Sequence, residues 1–127
     1  MHLKFHIILI YIYIFIAGCS KADKSDAFAA DSPESKGLDI FTSMACNACH
    51  SVDGSLKLGP TMKAQYGKEI LHTDGTVMII NDDYIRQSLL DPLKHIVEGY
   101  TPIMPSYKPV LSDEDLKNLI AYIKALK

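Results

Sequence analysis

The stretch Cys46-Asn47-Ala48-Cys49-His50 decides how the rest of this chain is read. Two thiols separated by two residues and followed at once by an imidazole form the C-x-x-C-H pattern of covalent haem attachment. The spacing follows from the chemistry. Two sulfurs must reach two vinyl groups on one edge of a porphyrin, and the adjacent imidazole must swing beneath the iron as its proximal ligand. Two other chemistries use the same letters. A C-x-x-C pair can be half of a zinc site, but no second cysteine pair exists, and a fourth ligand from His72 or His95 would come at no recognisable spacing. A dithiol redox pair belongs to a βαβ unit, and no strand-led pattern surrounds these cysteines.

Working outward, the third cysteine falls at position 19. Lys4 precedes an apolar run from Ile7 to Ala17, too short to span a bilayer and of the length of a signal-peptide core. It ends in Ile16-Ala17-Gly18-Cys19, which resembles the lipobox of bacterial lipoproteins. That resemblance implies cleavage before Cys19 and a diacylglycerol on its sulfur. The alternatives are an uncleaved short anchor or plain secretion, and all three put the folded part outside the cytoplasm. Cys19 then goes to lipid and Cys46 and Cys49 to haem, so no cysteine is left over.

Three segments follow: a signal peptide over 1–18, a lipidated tether over 19–35, and one small domain over 36–127. The tether is small and charged, with Phe28 its single large apolar side chain. A domain of 92 residues is marginal on its own apolar core, and a large buried cofactor would help it fold. From residue 36 onward there are ten basic and eleven acidic side chains, without a basic patch, which argues against nucleic acid as a partner.

Apolar spacing predicts a helix from about Ser35 to Ala45, with Leu38, Phe41 and Ala45 on one face and Gly37 permitting a close approach. A second is expected from Asp82 to Leu90, stopping before Asp91-Pro92. The last is capped by Ser112, opens on three acidic residues and runs to the C-terminus. Asp74-Gly75 between apolar runs predicts a small hairpin over 70–80.

With these in place, the stretch from Gly37 to Lys127 resembles a class I cytochrome c domain, and especially the one fused to subunit II of some haem-copper oxidases. The resemblance implies an all-α fold with helices around one covalent haem c. It is carried by Gly37 and Phe41 in the first helix, and by Leu119 and Tyr122 in the last. Pro60 matches the proline whose carbonyl accepts the proximal histidine's other N–H, and Met104 matches the distal ligand in a Met-Pro loop. No counterpart of the copper-binding domain of subunit II is present, so the expectation is a free-standing, lipid-tethered version of its haem module.

Met44, Met62, Met78, His72 and His95 also carry possible distal ligands. Met104 is preferred because Pro102 and Pro105 stiffen its loop, with His95 next. Ligation by His50 and Met104 fills the iron's coordination sphere and implies an electron carrier rather than an enzyme. A labile Met104 would instead make a small-ligand sensor or weak peroxidase. The expected partners are extracytoplasmic redox proteins: a cytochrome bc-type complex, a terminal oxidase or another reductase. The anchor would lie on either periplasmic membrane face or the outer face of the cell membrane.

Overall fold

The computed structural model describes residues 28–127. The expected signal peptide, Cys19 and the expected tether up to Ala27 lie outside the described residues. In chain order the elements are α1 (Pro33–Ser43), the single turn α2 (Cys46–Cys49), β1 (Glu69–Leu71), β2 (Val77–Ile79), α3 (Asp82–Leu90) and α4 (Asp113–Ala125). None of the described helices is long and apolar enough to cross a membrane.

The first helix begins at Pro33, two residues before the expected Ser35. Ser32 caps it by accepting the Ser35 N–H at 3.1 Å, and Pro33 takes a first-turn place where its missing N–H costs nothing. Three residues assigned to the tether are therefore helical. Upstream of them, Phe28 packs edge-on against Tyr122, with ring centroids 5.8 Å apart. The expected apolar face also needs correcting. Leu38 is 38% exposed, and Ala45 has left the helix with φ 56°. Gly37 and Phe41, one turn apart, face the core instead.

The reason lies in α4. A Cβ on Gly37 would stand 2.1 Å from the Asn118 carbonyl oxygen, so α1 and α4 meet with backbone against backbone. Around that crossing pack Phe41, Leu116, Leu119, Tyr122 and Ile123, all buried. Full burial of each such side chain contributes about 1.5–3 kcal/mol. A capping box opens α4. Ser112 Oγ accepts from the Asp115 N–H at 3.1 Å, while the Asp115 carboxylate accepts from the Ser112 N–H at 2.9 Å. The helix stops at Ala125, two residues short of the expected end.

The middle helix α3 has the expected bounds. Asn81 caps it by accepting the Tyr84 N–H, and Tyr84, Ile85 and Leu89 form its buried face. The expected hairpin also forms. β1 and β2 pair antiparallel with Ile70 opposite Met78, and Gly75 supplies the positive φ of 82° in the turn. It sits within an otherwise helical domain, in keeping with the expected all-α class.

Candidate functional site

Ala45 is where the chain changes direction. Its left-handed backbone ends α1 and starts the single turn of α2, whose two ends are Cys46 and Cys49. Such a conformation is uncommon without glycine. His50 follows in extended backbone, at φ −112° and ψ 134°, and leaves the turn.

The imidazole of His50 is held from behind. Its Nδ1 lies 2.7 Å from the Pro60 carbonyl oxygen, which can only accept, so the proton belongs on Nδ1. Nε2 keeps its lone pair. Gly59 makes room for the ring, because a Cβ there would stand 2.5 Å from His50 Cε1. The Gly59 N–H in turn donates to the Cys49 carbonyl at 2.9 Å. Burial, more than any other cause, holds His50 below the ordinary histidine range, and nearby Lys57 pushes the same way against the Pro60 carbonyl. A neutral imidazole with one free nitrogen is a metal ligand's state.

In front of His50 opens a cleft with about 1380 Å³ of empty space, part of it continuous with solvent. Phe41, Ile80, Ile85, Leu89, Leu119 and Ile123 form much of its apolar wall. Cys46, Cys49, His50, Pro60 and Met104 all line it, so one cavity brings together five of the six site residues expected from sequence. The sixth, Cys19, is outside the described residues. Cys46 and Cys49 are not joined to each other in a disulfide, which leaves both sulfurs available for attachment.

The alternatives for the distal position separate by location. His72, Met44 and Met78 are absent from the cavity wall among the described residues, while Met62, His95 and Met104 belong to it. Met62 is tied to the His50 side, its N–H donating to the Ser51 carbonyl at 2.8 Å. Met104 comes from the opposite end of the chain's circuit. Just past it, Ser106 Oγ donates to the Leu90 carbonyl at 2.7 Å and the Tyr107 N–H to the Leu89 carbonyl at 2.8 Å. These bonds satisfy carbonyls that the end of α3 leaves without helical partners.

The sequence model of the cytochrome c family matches residues 34–127. The chain belongs to the cytochrome c family. It is also 30% identical over 93 residues to cytochrome c oxidase subunit 2 of Alkalihalophilus pseudofirmus, a match covering 72% of this chain and 25% of that protein. This cytochrome c thus spans about a quarter of the length of that curated relative. Membership carries with it covalently bound haem c, haem-based electron transfer and an extracytoplasmic place in bacteria. The cavity fits that cofactor chemically: two cysteines outside any disulfide and an imidazole whose Nδ1 is held by Pro60 border one largely apolar space.

Several contributors to the site carry no motif. Ser51 is 3% exposed, and its hydroxyl lies within bonding distance of the Ser55 carbonyl, at 2.6 Å, and of Thr61 Oγ1, at 2.9 Å. That network shapes the loop between His50 and Pro60. Tyr107 lines the cavity and reaches toward the Met44 carbonyl at 3.4 Å, bracing the turn that presents the cysteines. Only the periodicity of a loop fold could have flagged them, and loops have none.

Proposed function

We propose that this cytochrome c is a membrane-tethered, single-haem electron carrier, with the haem held by thioethers to Cys46 and Cys49. His50 is the proximal iron ligand, Met104 the distal one, and Cys19 carries a lipid after removal of residues 1–18. The convergence of His50 and Met104 on one apolar cavity is the observation that supports this reading most directly.

Bound haem supplies a one-electron iron couple, and the rest is the work of the chain. Pro60 orients His50 by accepting its Nδ1–H, and Gly59 leaves space for the ring. A bonded Nδ1–H makes the opposite nitrogen a stronger donor. The apolar wall excludes water, and a thioether from Met104 would raise the reduction potential relative to a second nitrogen. Were His50 and Met104 both to hold the iron, no open place would remain for a substrate. The partners are redox proteins on the extracytoplasmic side, a cytochrome bc-type complex, a terminal oxidase or another reductase, reached from a lipid anchor.

Absorption spectra of the oxidised and reduced protein, together with a haem stain on a denaturing gel, test the reading. The expected result is haem that survives denaturation, and a low-spin ferric spectrum with a methionine-to-iron charge-transfer band. Haem lost on the gel would overturn the attachment. A high-spin spectrum, with an open iron site, would overturn Met104 and select the ligand-sensing or peroxidase alternative.

A further inference from the structure

His72 is a histidine that the site described above does not use. It is 1% exposed, in the turn between β1 and β2, and both its nitrogens are engaged. Nδ1 lies 3.2 Å from the Thr76 carbonyl oxygen and Nε2 lies 3.1 Å from the Tyr84 hydroxyl. A carbonyl only accepts, so Nδ1 carries a proton and donates, and Nε2 pairs with the Tyr84 hydroxyl. His72 therefore has no nitrogen left for iron. Its ring also stacks at a tilt on His95, centroids 5.4 Å apart.

The neighbourhood explains what such a residue can do. The Thr73 N–H donates to the Ile96 carbonyl at 2.8 Å, and the Glu98 N–H donates to the Leu71 carbonyl at 2.9 Å. His72 and Val97 form the bridge between these two bonds. The hairpin is thus stitched to residues 96–98, and the chain then passes through Pro102 to Met104. The far side of Met104 is already fixed to the end of α3 by Ser106 and Tyr107. His72 fixes the near side, since its bond to Tyr84 ties the hairpin to α3 itself. His95, on the cavity wall, lies against the His72 ring, so the contact joins His72 to the segment that leads to Met104.

Burying an imidazole costs desolvation that its two hydrogen bonds roughly offset, so it contributes little net stability relative to an apolar side chain of similar volume. What it adds is direction. We infer that His72 is a positioning residue for the distal ligand: it locks the hairpin to α3, and the hairpin holds the 96–104 segment so that Met104 stays against the iron. This rests on Met104 being the distal ligand.

The test uses the haem-loaded protein and the variants His72→Phe, His72→Gln and Tyr84→Phe, with cyanide as the probe. Cyanide reaches ferric iron only when the distal ligand leaves, so its binding rate reports how firmly Met104 is held. Phenylalanine keeps the ring and removes both bonds, whereas glutamine can donate and accept in their place. His72→Phe is expected to speed cyanide binding about tenfold, the equivalent of one net hydrogen bond, and to weaken the methionine charge-transfer band. His72→Gln should restore most of the slow rate, and Tyr84→Phe should fall between. Should His72→Phe fail to fold, the Gln and Tyr84 variants carry the same comparison. A His72→Phe protein with a lower Tm but wild-type cyanide rate and band would reduce His72 to a structural residue. Wild-type protein that binds cyanide as fast as Met104→Ala would instead remove the distal ligand reading, and this inference with it.

Discussion

Replacing Gly37 with alanine puts a single methyl group into the backbone-to-backbone contact of α1 with α4. The new Cβ would stand 2.1 Å from the Asn118 carbonyl oxygen and 2.6 Å from Tyr122 Cβ, where ordinary contact begins at 3.4 Å. The difference, 3.4 less 2.1, requires α1 and α4 to part by roughly 1.3 Å, because the first obstacle is backbone and cannot rotate away. Overpacking of this kind costs about 3 kcal/mol. Alanine returns about 1 kcal/mol through its better helix propensity, leaving about 2 kcal/mol of destabilisation. For a domain of this size that lowers Tm by about 8–16 °C. Thermal unfolding of the ferric protein, followed by far-ultraviolet circular dichroism, measures it. A Tm equal to or above that of the wild type would show that the two helices are not held in contact through Gly37.

Gly59→Ala should drive the His50 ring off its seat, since the added Cβ would lie 2.5 Å from Cε1, and break the bond to Pro60. Lower haem loading and a raised potential in the loaded fraction are expected, because an imidazole without its carbonyl partner is a weaker donor to ferric iron; full loading at the wild-type potential would contradict this. Met104→His should remain six-coordinate and low-spin at a lower potential, and Met104→Ala should admit carbon monoxide; unchanged spectra in both would place the ligand elsewhere. The Tyr66 O–H, at 2.6 Å, and then Lys124 hold the Asp82 carboxyl below its ordinary value of 3.8. The folded form thus binds fewer protons there, and the benefit is complete above about pH 4 and lost as pH falls through the lowered value. Asp82 is exposed, so Asp82→Asn should lower Tm slightly at neutral pH and not at all in strong acid; a deficit persisting in acid would mean another cause. Cys19→Ser should release a soluble protein with its haem complete, and continued need for detergent would count against the lipid.

What the sequence disclosed depended on how local each signal is. The bounds of α3 were readable because the acidic pair Asp82-Asp83 and Pro92 mark its two ends within the chain itself. The start of α1 was placed two residues late, at Ser35, because apolar spacing marks a helix's face and not the cap that Ser32 and Pro33 supply. Its face was misread for a different reason. Leu38 fits helical spacing, but the contact partner is α4's backbone, which favours the glycine beside it. The residues expected to attach haem stood out in the sequence because covalent chemistry constrains their spacing. Gly59, Ser51 and His72 did not, since each acts through atoms nine or more residues away along a loop, or across the hairpin, and no periodicity records such meetings.

The edge-on packing of Phe28 on Tyr122 changes the arithmetic of distance. Had the chain been free up to the first helix, a lipid on Cys19 would have held the domain by a strand of thirteen residues, Ser20 to Ser32. With Phe28 packed on Tyr122, eight residues, Ser20 to Ala27, lie between Cys19 and that contact. Fully stretched, that is about 29 Å against about 47 Å. Tyr122 meets Phe28 on one side and Phe41 on the other, and Phe41, not Tyr122, lines the haem cleft. On the proposed lipid anchor, the chain from Cys19 would join the domain at Phe28, which packs on Tyr122 and not on the cavity wall, so membrane attachment and electron exchange would use different sides of the molecule. A carrier so tethered would search a thin layer over the bilayer, and the partners it could meet would be those whose docking sites stand within that layer.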